Sequence, residues 1–298
     1  MYRVFRIVHS GLAGSLSHCQ NDTPGKGDTP RLPAWGKQHQ MAQGQPREDG
    51  NGLLLAGRSG KPFRAMPSAP SEVVKPSLAD RMRPGEYTAA ALRVIGQRAT
   101  GRPMRRAIEI GTGSGVLLAA LGQCGARELW GIDIDPDALR VAGPLLAREA
   151  AGKPVHLLLG DVWRGVPALT FDAIVANLPH FPAVLPPSPG RTPYWSGGGR
   201  TVLDAFLDGL GPRLARDGAA WITHHALADL ARTRARLAEQ GLTAETVFSW
   251  TVHEPEARMA AVAPAVARPD LVRRIGGYYF VEAHVLEIRH AIQPRGAD

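Results

Sequence analysis

The sequence predicts an α/β fold in which a doubly wound, mostly parallel sheet of seven strands ends in an antiparallel last strand. From about residue 77 onward, short apolar segments alternate with amphipathic segments of helical length, a pattern typical of parallel sheets covered on both faces. The last two predicted strands, 243–252 and 278–289, have no long helical segment between them, which predicts the antiparallel edge. The 298 residues are 44% apolar, enough for a substantial core.

The first predicted strand, 106–111, runs directly into the loop "GTGSG", and a helix is predicted at 115–124. Glycines at 111, 113 and 115 let the backbone turn tightly and come close to a ligand. A dinucleotide-binding fingerprint would need its third glycine at position 116, which is Val116. The loop therefore predicts a ligand site that does not depend on a diphosphate at the helix N-terminus.

Acidic residues end the next two predicted strands. Asp133 lies at the end of strand 128–135, before a helix at 136–150, and Asp161 ends strand 155–161. The carboxyl ends of parallel strands meet at one edge of a sheet, where open α/β sheets bind ligands. An acid after the second strand can accept hydrogen bonds from both ribose hydroxyls. The pattern predicts a nucleoside-containing cofactor at this edge.

The fourth predicted strand, 171–177, ends in Asn177, Leu178, Pro179 and His180. Proline favours an extended conformation for Leu178 and brings no N–H of its own. The Asn177 side-chain carbonyl and the Leu178 backbone carbonyl could then accept the two N–H bonds of an amino or amide nitrogen. Two alternatives stay open for His180, which could be a general base for an oxygen acceptor or an exposed loop residue.

After this segment, the sequence predicts a helix at 200–215, a strand at 218–225 and a helix at 227–241.

From about residue 80 to 250, the chain resembles the class I S-adenosylmethionine-dependent methyltransferases, which have a Rossmann-like fold. The motifs that carry the resemblance are "EIGTGSG", "GIDIDPDAL", "GDVW" and "FDAIVANLP", in the order of that family. The resemblance implies S-adenosyl-L-methionine as the cofactor; a nicotinamide nucleotide is the alternative, which the glycine spacing disfavours. The implied cofactor-binding residues are Glu109, Gly111, Thr112, Gly113, Gly115, Asp133, Ile134, Asp161, Val162 and Asn177.

The segment "NLPHF" resembles a degenerate Asn-Pro-Pro-Tyr/Phe motif of amino-group methyltransferases, which act on protein glutamine, adenine or ribosomal-RNA guanine. "RPGEYTAAAL" and "SGGGRTVLDAFLDGL" resemble segments of release-factor and ribosomal-protein glutamine methyltransferases. In the first of these, Glu86, Tyr87 and Thr88 are expected to contact the cofactor as a lid. The resemblance implies catalytic roles for Asn177, Leu178, Pro179 and His180, and substrate contacts from Asn177, Phe181 and Tyr87.

The leading functional hypothesis is methyl transfer to an amide or amino nitrogen, in a protein or another macromolecule. The alternatives are a small-molecule N- or O-methyltransferase and a catalytically silent S-adenosylmethionine-binding module. The expected partner is the methyl acceptor, while nucleic acid is weakly supported because the net charge of +8 is concentrated in the first 65 residues. No metal is predicted, since no histidine, cysteine or acid spacing matches a metal site.

The domain prediction is a disordered tail at 1–65, rich in Gly, Pro, Gln and charge, followed by a methyltransferase domain at 66–298. The segment 254–277, between the last two predicted strands, is predicted to form part of a substrate lid. No apolar run is long enough to cross a membrane, and two cysteines fit a reducing, cytoplasmic location. The oligomeric state is not predicted.

Overall fold

The computed structural model describes residues 4–6, 82–182, 199–262 and 268–292, all of which belong to one compact unit. The strands are β1 Val4–Arg6, β2 Arg106–Ile110, β3 Glu128–Asp133, β4 Val155–Leu159, β5 Phe171–Ala176, β6 Leu214–His225, β7 Leu242–Glu254, β8 Val272–Ile275 and β9 Tyr278–His290. The helices are α1 Glu86–Arg98, α2 Val116–Gln123, α3 Pro136–Glu149, α4 Thr201–Asp208, α5 Leu230–Ala238 and α6 Glu256–Ala260.

The strands form one sheet in the order β1-β4-β3-β2-β5-β6-β9-β7, and β8 pairs with β9 beside this path. β4, β3, β2, β5 and β6 are parallel to one another, whereas β9 is antiparallel to both of its neighbours, β6 and β7. The chain runs outward from β2 through β3 to β4, then returns to add β5 on the other side of β2. The strand order therefore reverses between β2 and β5, where open α/β sheets bind ligands.

Alternating apolar side chains place a core on each face of the sheet. In β5, Ala173 and Val175 pack on the side of α1, α2 and α3, whereas Phe171 and Ile174 pack on the side of α4 and α5. A strand that is buried on both faces is apolar along its whole length, as expected for the interior of a parallel sheet. The polar atoms that the sheet presents to a ligand are accordingly concentrated at the strand ends.

The predicted fold class is confirmed, including the antiparallel last strand. The seven predicted strands correspond to β2 to β7 and β9, and the structure adds two short edge strands. β1 pairs antiparallel with β4 inside the segment predicted to be a tail, and β8 pairs antiparallel with β9 inside the predicted lid. The pattern of residues 77–99 also predicts a helix, and in the structure this helix begins at Glu86. Apart from Val4–Arg6, the predicted tail lies outside the described residues.

None of the helices in the described ranges is both long and apolar enough to cross a membrane.

Candidate active site

The glycine loop between β2 and α2 is held from beneath by Glu109. All three loop glycines have positive φ angles: 71° at Gly111, 50° at Gly113 and 80° at Gly115. Gly115 is the N-cap of α2 and has no side chain to cap the helix. The buried Glu109 carboxylate replaces it, because its Oε2 accepts a hydrogen bond from Leu118 N at 3.0 Å. Burial raises the pKa of Glu109 well above its usual range. Glu109 therefore supports the loop and does not line a cavity.

Two loop glycines also allow close packing that a larger residue would prevent. A Cβ at Gly115 would lie 2.9 Å from the Ala142 Cβ on α3. A Cβ at Gly111 would lie 3.0 Å from Leu178 Cδ2, so the loop touches the segment after β5. Thr112 is buried, and its hydroxyl lies 3.2 Å from the Ile132 carbonyl oxygen. Its role is to tie the loop to β3.

Asp133, at the end of β3, fixes the loop from the other side. Its Oδ2 accepts a hydrogen bond from Gly113 N at 2.8 Å, and its Oδ1 accepts one from Asp135 N at 2.9 Å. Burial raises the pKa of Asp133 above its ordinary value, with these backbone N–H groups acting in the opposite direction. Each carboxylate oxygen keeps a lone pair that could accept a hydroxyl from a ligand.

A first cavity, of about 220 Å³, opens beside Asp133 at the carboxyl ends of β2, β3, β4 and β5. Val162, at the β4 end, has φ 51°, a conformation that is costly for a β-branched residue and characteristic of ligand sites. The residues that line this cavity are Met82, Ile110, Gly111, Ile132, Asp133, Ile134, Asp135, Ala138, Gly160, Asp161, Val162, Asn177, Leu178, Pro179 and Val202.

Asn177, directly after β5, is held at both ends of its side-chain amide. Thr223 Oγ1 on β6 donates to Asn177 Oδ1 at 2.7 Å, and Asn177 Nδ2 donates to Thr88 Oγ1 on α1 at 3.1 Å. These two bonds fix the orientation of the amide. The carbonyl oxygen accepts only one of the two hydrogen bonds that its lone pairs allow. One acceptor position therefore stays available at Asn177.

His180 is 5% exposed, so the interpretation of it as an exposed loop residue is wrong. Its Nε2 accepts a hydrogen bond from His225 N at 2.8 Å, and its Nδ1 lies 2.5 Å from the Leu178 carbonyl oxygen. Burial lowers the pKa of His180 to about 4. Both ring nitrogens are thus engaged within the protein, which leaves no free lone pair for a general base.

A second cavity, of about 450 Å³, adjoins the first at the segment after β5. Tyr87 contacts the ring edge of His180 at a centroid distance of 5.9 Å, and burial raises the pKa of its hydroxyl. The Arg258 guanidinium lies 4.1 Å from the centre of the Phe181 ring. The lining residues are Arg83, Gly85, Glu86, Tyr87, Thr88, Asn177, Leu178, Pro179, His180, Phe181, His225 and Arg258.

The two cavities share three residues: Asn177, Leu178 and Pro179. We call these three residues the partition. The two cavities therefore adjoin at these residues, so that ligands in the two spaces could come into contact beside them. The partition is the feature of the site with the clearest chemical meaning, because both binding spaces lie against the same three residues.

The structure groups the residues predicted from the sequence into three sets. The first cavity is lined by Gly111, Asp133, Ile134, Asp161, Val162 and Asn177, whereas Glu109, Thr112, Gly113 and Gly115 shape the loop behind it. The predicted substrate residues Tyr87 and Phe181 line the second cavity with His180. Glu86, Tyr87 and Thr88, expected to be contacts of a cofactor lid, line the second cavity and not the first.

Sequence reasoning missed Thr223 and the cluster behind the second cavity. Thr223 is the first hydroxyl after the apolar run of β6, and Ala176 pairs with Ile222, so the strand register alone would place Thr223 beside Asn177. Glu254, at the end of β7, is 1% exposed; its Oε1 lies 3.2 Å from His225 Nε2, and its Oε2 lies 3.1 Å from Arg258 Nη1. The sequence shows an acidic residue at the end of a predicted strand, but it does not show that the residue is buried or that His225 and Arg258 are its partners.

Comparison with known proteins confirms the resemblance inferred from the motifs. Residues 86–180 match the model of the family described as ribosomal protein L11 methyltransferase (PrmA). The ribosomal protein L11 methyltransferase of Desulfatibacillum aliphaticivorans is 35% identical over 96 residues, which are 30% of this chain and 30% of that protein. The release factor glutamine methyltransferase of Gloeobacter violaceus is 36% identical over 79 residues, which are 26% of this chain and 28% of that protein. The matched region spans less than a third of each relative.

Among solved structures, the YcgJ protein of Bacillus subtilis is similar over 68% of this chain and 99% of that protein, with a TM-score of 0.50 and 14% sequence identity. This likeness supports the fold alone. The region matched by the family model runs from α1 to His180 and thus contains the glycine loop, Asp133 and the partition.

Proposed function

We propose that this protein transfers a methyl group from S-adenosyl-L-methionine to an amide or amino nitrogen of a protein. The observation that carries the proposal is the partition, whose Asn177, Leu178 and Pro179 line both cavities. A methyl donor in the first cavity and an acceptor in the second would meet beside these residues. In-line methyl transfer depends chiefly on such positioning of the two reactants.

The first cavity suits the cofactor by its chemistry. Asp133 offers carboxylate lone pairs for ribose hydroxyls, while Ile134, Val162 and Val202 offer apolar surface beside it. When bound, S-adenosyl-L-methionine would supply the methyl group on its sulfonium. Gly111, the residue of the glycine loop that lines the first cavity, has no side chain and so leaves room for a ligand close to the backbone.

The second cavity suits a nitrogen that carries two hydrogens. Asn177 Oδ1 accepts from Thr223, and the Leu178 carbonyl is engaged by His180, so each oxygen keeps one lone pair. One N–H bond directed to each oxygen would leave the nitrogen lone pair pointing away from them, towards a methyl donor in the first cavity. A hydroxyl acceptor would need a base, and neither His180, whose nitrogens are both engaged, nor Tyr87, whose pKa burial raises, is suited to that role.

A protein acceptor is supported by the names of the relatives, which are methyltransferases of ribosomal protein L11 and of a release factor. We propose that residues 66–298 form the catalytic domain and that 254–277 acts as a substrate lid, since Arg258 lines the second cavity. A cytoplasmic location stays a prediction from the cysteine content. Deletion of 1–65 should leave cofactor binding unchanged, which isothermal titration with S-adenosylhomocysteine would measure.

The proposal is tested by incubating the purified protein and tritiated S-adenosyl-L-methionine with a lysate from a strain that lacks the gene. Label in the protein fraction, lost in the Asn177→Ala variant, is the expected result. Label confined to RNA or to small molecules would contradict the protein acceptor. Tight cofactor binding without label in any fraction would favour a silent binding module over an enzyme.

A further inference from the structure

His180 occupies the position after the partition, where its imidazole connects the end of β5 to the end of β6. It lines the second cavity but is 5% exposed, and both ring nitrogens contact backbone groups. Nε2 lies 2.8 Å from His225 N, and Nδ1 lies 2.5 Å from the Leu178 carbonyl oxygen. The side chain therefore joins a fixed strand end to one of the two oxygens proposed to hold the acceptor.

The backbone partners determine where the proton of the imidazole lies. The N–H of His225 can only donate a hydrogen bond, so Nε2 of His180 must be the acceptor and carry no proton. In a neutral ring the proton is then on Nδ1, from which it is donated to the carbonyl of Leu178. Burial lowers the pKa of His180 to about 4 and so keeps the ring neutral at physiological pH.

Packing prevents the ring from turning away. Tyr87 meets it edge-on at 5.9 Å with an interplanar angle of 79°, and the His224 ring lies 5.9 Å away on centroids. Gly199 closes the segment from outside, since a Cβ there would lie 2.7 Å from the His180 carbonyl oxygen. A ring held in this way fixes the direction of the Leu178 carbonyl to which it donates.

We propose that His180 is a positioning residue, and that its Nδ1–H group holds the Leu178 carbonyl in the direction from which the second lone pair accepts an N–H bond of the methyl acceptor. The inference rests on the proposed N-methyl transfer. It assigns to the imidazole a role in geometry and none in proton transfer. His180 would orient the Leu178 carbonyl in the same way as Thr223 orients the Asn177 side-chain carbonyl. In each case one hydrogen-bond donor within the protein fixes the direction of the acceptor oxygen.

Two substitutions separate the two hydrogen bonds of the ring. In His180→Asn the amide N–H can replace Nδ1–H and still donate to Leu178. In His180→Gln the amide oxygen can replace Nε2 and accept from His225, while the donor to Leu178 is lost. The matched control is His284→Asn, because His284 is a buried histidine on β9 that lines neither cavity and whose Nδ1 contacts Ser249 Oγ at 2.9 Å.

Rates of tritiated methyl incorporation would be measured on the lysate fraction that the wild type labels, over a dilution series of that fraction. We expect His180→Gln to lower kcat roughly 10- to 100-fold, since small misplacements at a reacting centre have effects of that order. His180→Asn and His284→Asn should keep most of kcat, and all three variants should bind S-adenosylhomocysteine like the wild type. Wild-type kcat in a folded His180→Gln variant, or equal losses in His180→Asn and His180→Gln, would overturn the proposal.

Nitrogen-15 NMR of the histidine rings gives a second readout that needs no methyl acceptor. We expect the His180 ring to stay in the neutral Nδ1–H form from pH 8 to about pH 5, as its pKa of about 4 requires. A ring protonated on Nε2, or one that titrates within that range, would also overturn the inference. Absence of methyl transfer by the wild type, with the expected ring spectrum, would instead count against the proposed function.

Discussion

The Thr223 hydroxyl donates a hydrogen bond of 2.7 Å to the Asn177 side-chain carbonyl. Thr223 lies on β6 and Asn177 follows β5, so the bond connects adjacent parallel strands at their carboxyl ends. It removes the ambiguity of an amide that could otherwise present either its oxygen or its nitrogen to the second cavity. The oxygen is fixed as an acceptor, which matches a substrate nitrogen that carries hydrogens.

Replacing Thr223 with valine keeps the shape of the side chain and removes the donor. We expect kcat for methyl transfer to fall roughly tenfold or more, because the Asn177 amide could then turn and present a donor to the acceptor nitrogen. Affinity for S-adenosylhomocysteine, measured by titration calorimetry, should change little. Wild-type kcat in Thr223→Val would contradict the role of this bond. Thr233→Val would not serve as a control, because the Thr233 hydroxyl accepts a hydrogen bond from the buried Arg200 side chain, which the substitution would also remove.

Asp133→Ala should weaken cofactor binding. The substitution removes the proposed ribose contacts and the two backbone N–H bonds that fix the loop. Hydrogen bonds to charged groups contribute about 1.5–3 kcal/mol each, so the loss of one ribose contact should lower the affinity roughly 10- to 100-fold and the loss of both should lower it further. Asp133→Asn keeps one acceptor oxygen, so its affinity for S-adenosylhomocysteine should lie between those of the wild type and Asp133→Ala. Calorimetric titration with S-adenosylhomocysteine measures the effect, and an unchanged dissociation constant for Asp133→Ala would refute the ribose assignment.

Acid should destabilise the protein in part through His180. Its pKa is lowered to about 4 in the folded protein, against about 6.5 in an unfolded chain. Between these values the unfolded state binds a proton that the folded state does not, so stability falls as pH falls through this window and is fully present above about pH 6.5. The size of this effect is up to about 3 kcal/mol.

Urea denaturation at pH 7.5, 6.0 and 5.0 would test this by comparing the wild type with His180→Gln. The wild type should lose more free energy of unfolding than the variant over this range. His224, whose pKa burial also lowers, is present in both proteins and therefore cancels in the comparison. Equal losses in the two proteins would show that His180 titrates normally.

Gly115→Ala should destabilise the fold more than Gly101→Ala. The two glycines have nearly the same φ, 80° and 79°, so each substitution carries a left-handed backbone cost of about 1–2 kcal/mol. Only at Gly115 would the new Cβ clash, at 2.9 Å from Ala142 Cβ; around Gly101 the space is open. Overpacking adds about 1–3 kcal/mol. Urea denaturation of both variants gives the difference, and equal destabilisation would show that α2 and α3 can move apart.

The sequence allowed the mostly parallel sheet, its antiparallel last strand and the location of the ligand edge to be predicted, because each depends on local patterns. The alternation of apolar strands with helices defines a parallel sheet, and Asp133 and Asn177 follow strands directly. Such residues must lie at the carboxyl edge whatever the details of packing. Tyr87 and Phe181, which the resemblance implies as substrate contacts, both line the second cavity.

The remaining features depend on contacts between distant segments. His180 looked chemically reactive in the sequence, but its burial and its bond to His225 result from how β6 lies beside β5. β1 has only three residues, which are too few for an apolar pattern to predict a strand. The strand is recognised only through its pairing with β4. The division between residues that line the first cavity and those that shape the loop also follows from side-chain direction, which spacing alone does not give.

The partition has a consequence for how such a protein could change during evolution. Apart from its three residues, the second cavity is formed by α1, the ends of β6 and α6, and the residues next to them, whereas the first cavity is formed mainly at the ends of β2, β3 and β4. Substitutions on one side need not disturb the other. A lineage could therefore exchange one acceptor for another while its requirement for the methyl donor stayed constant.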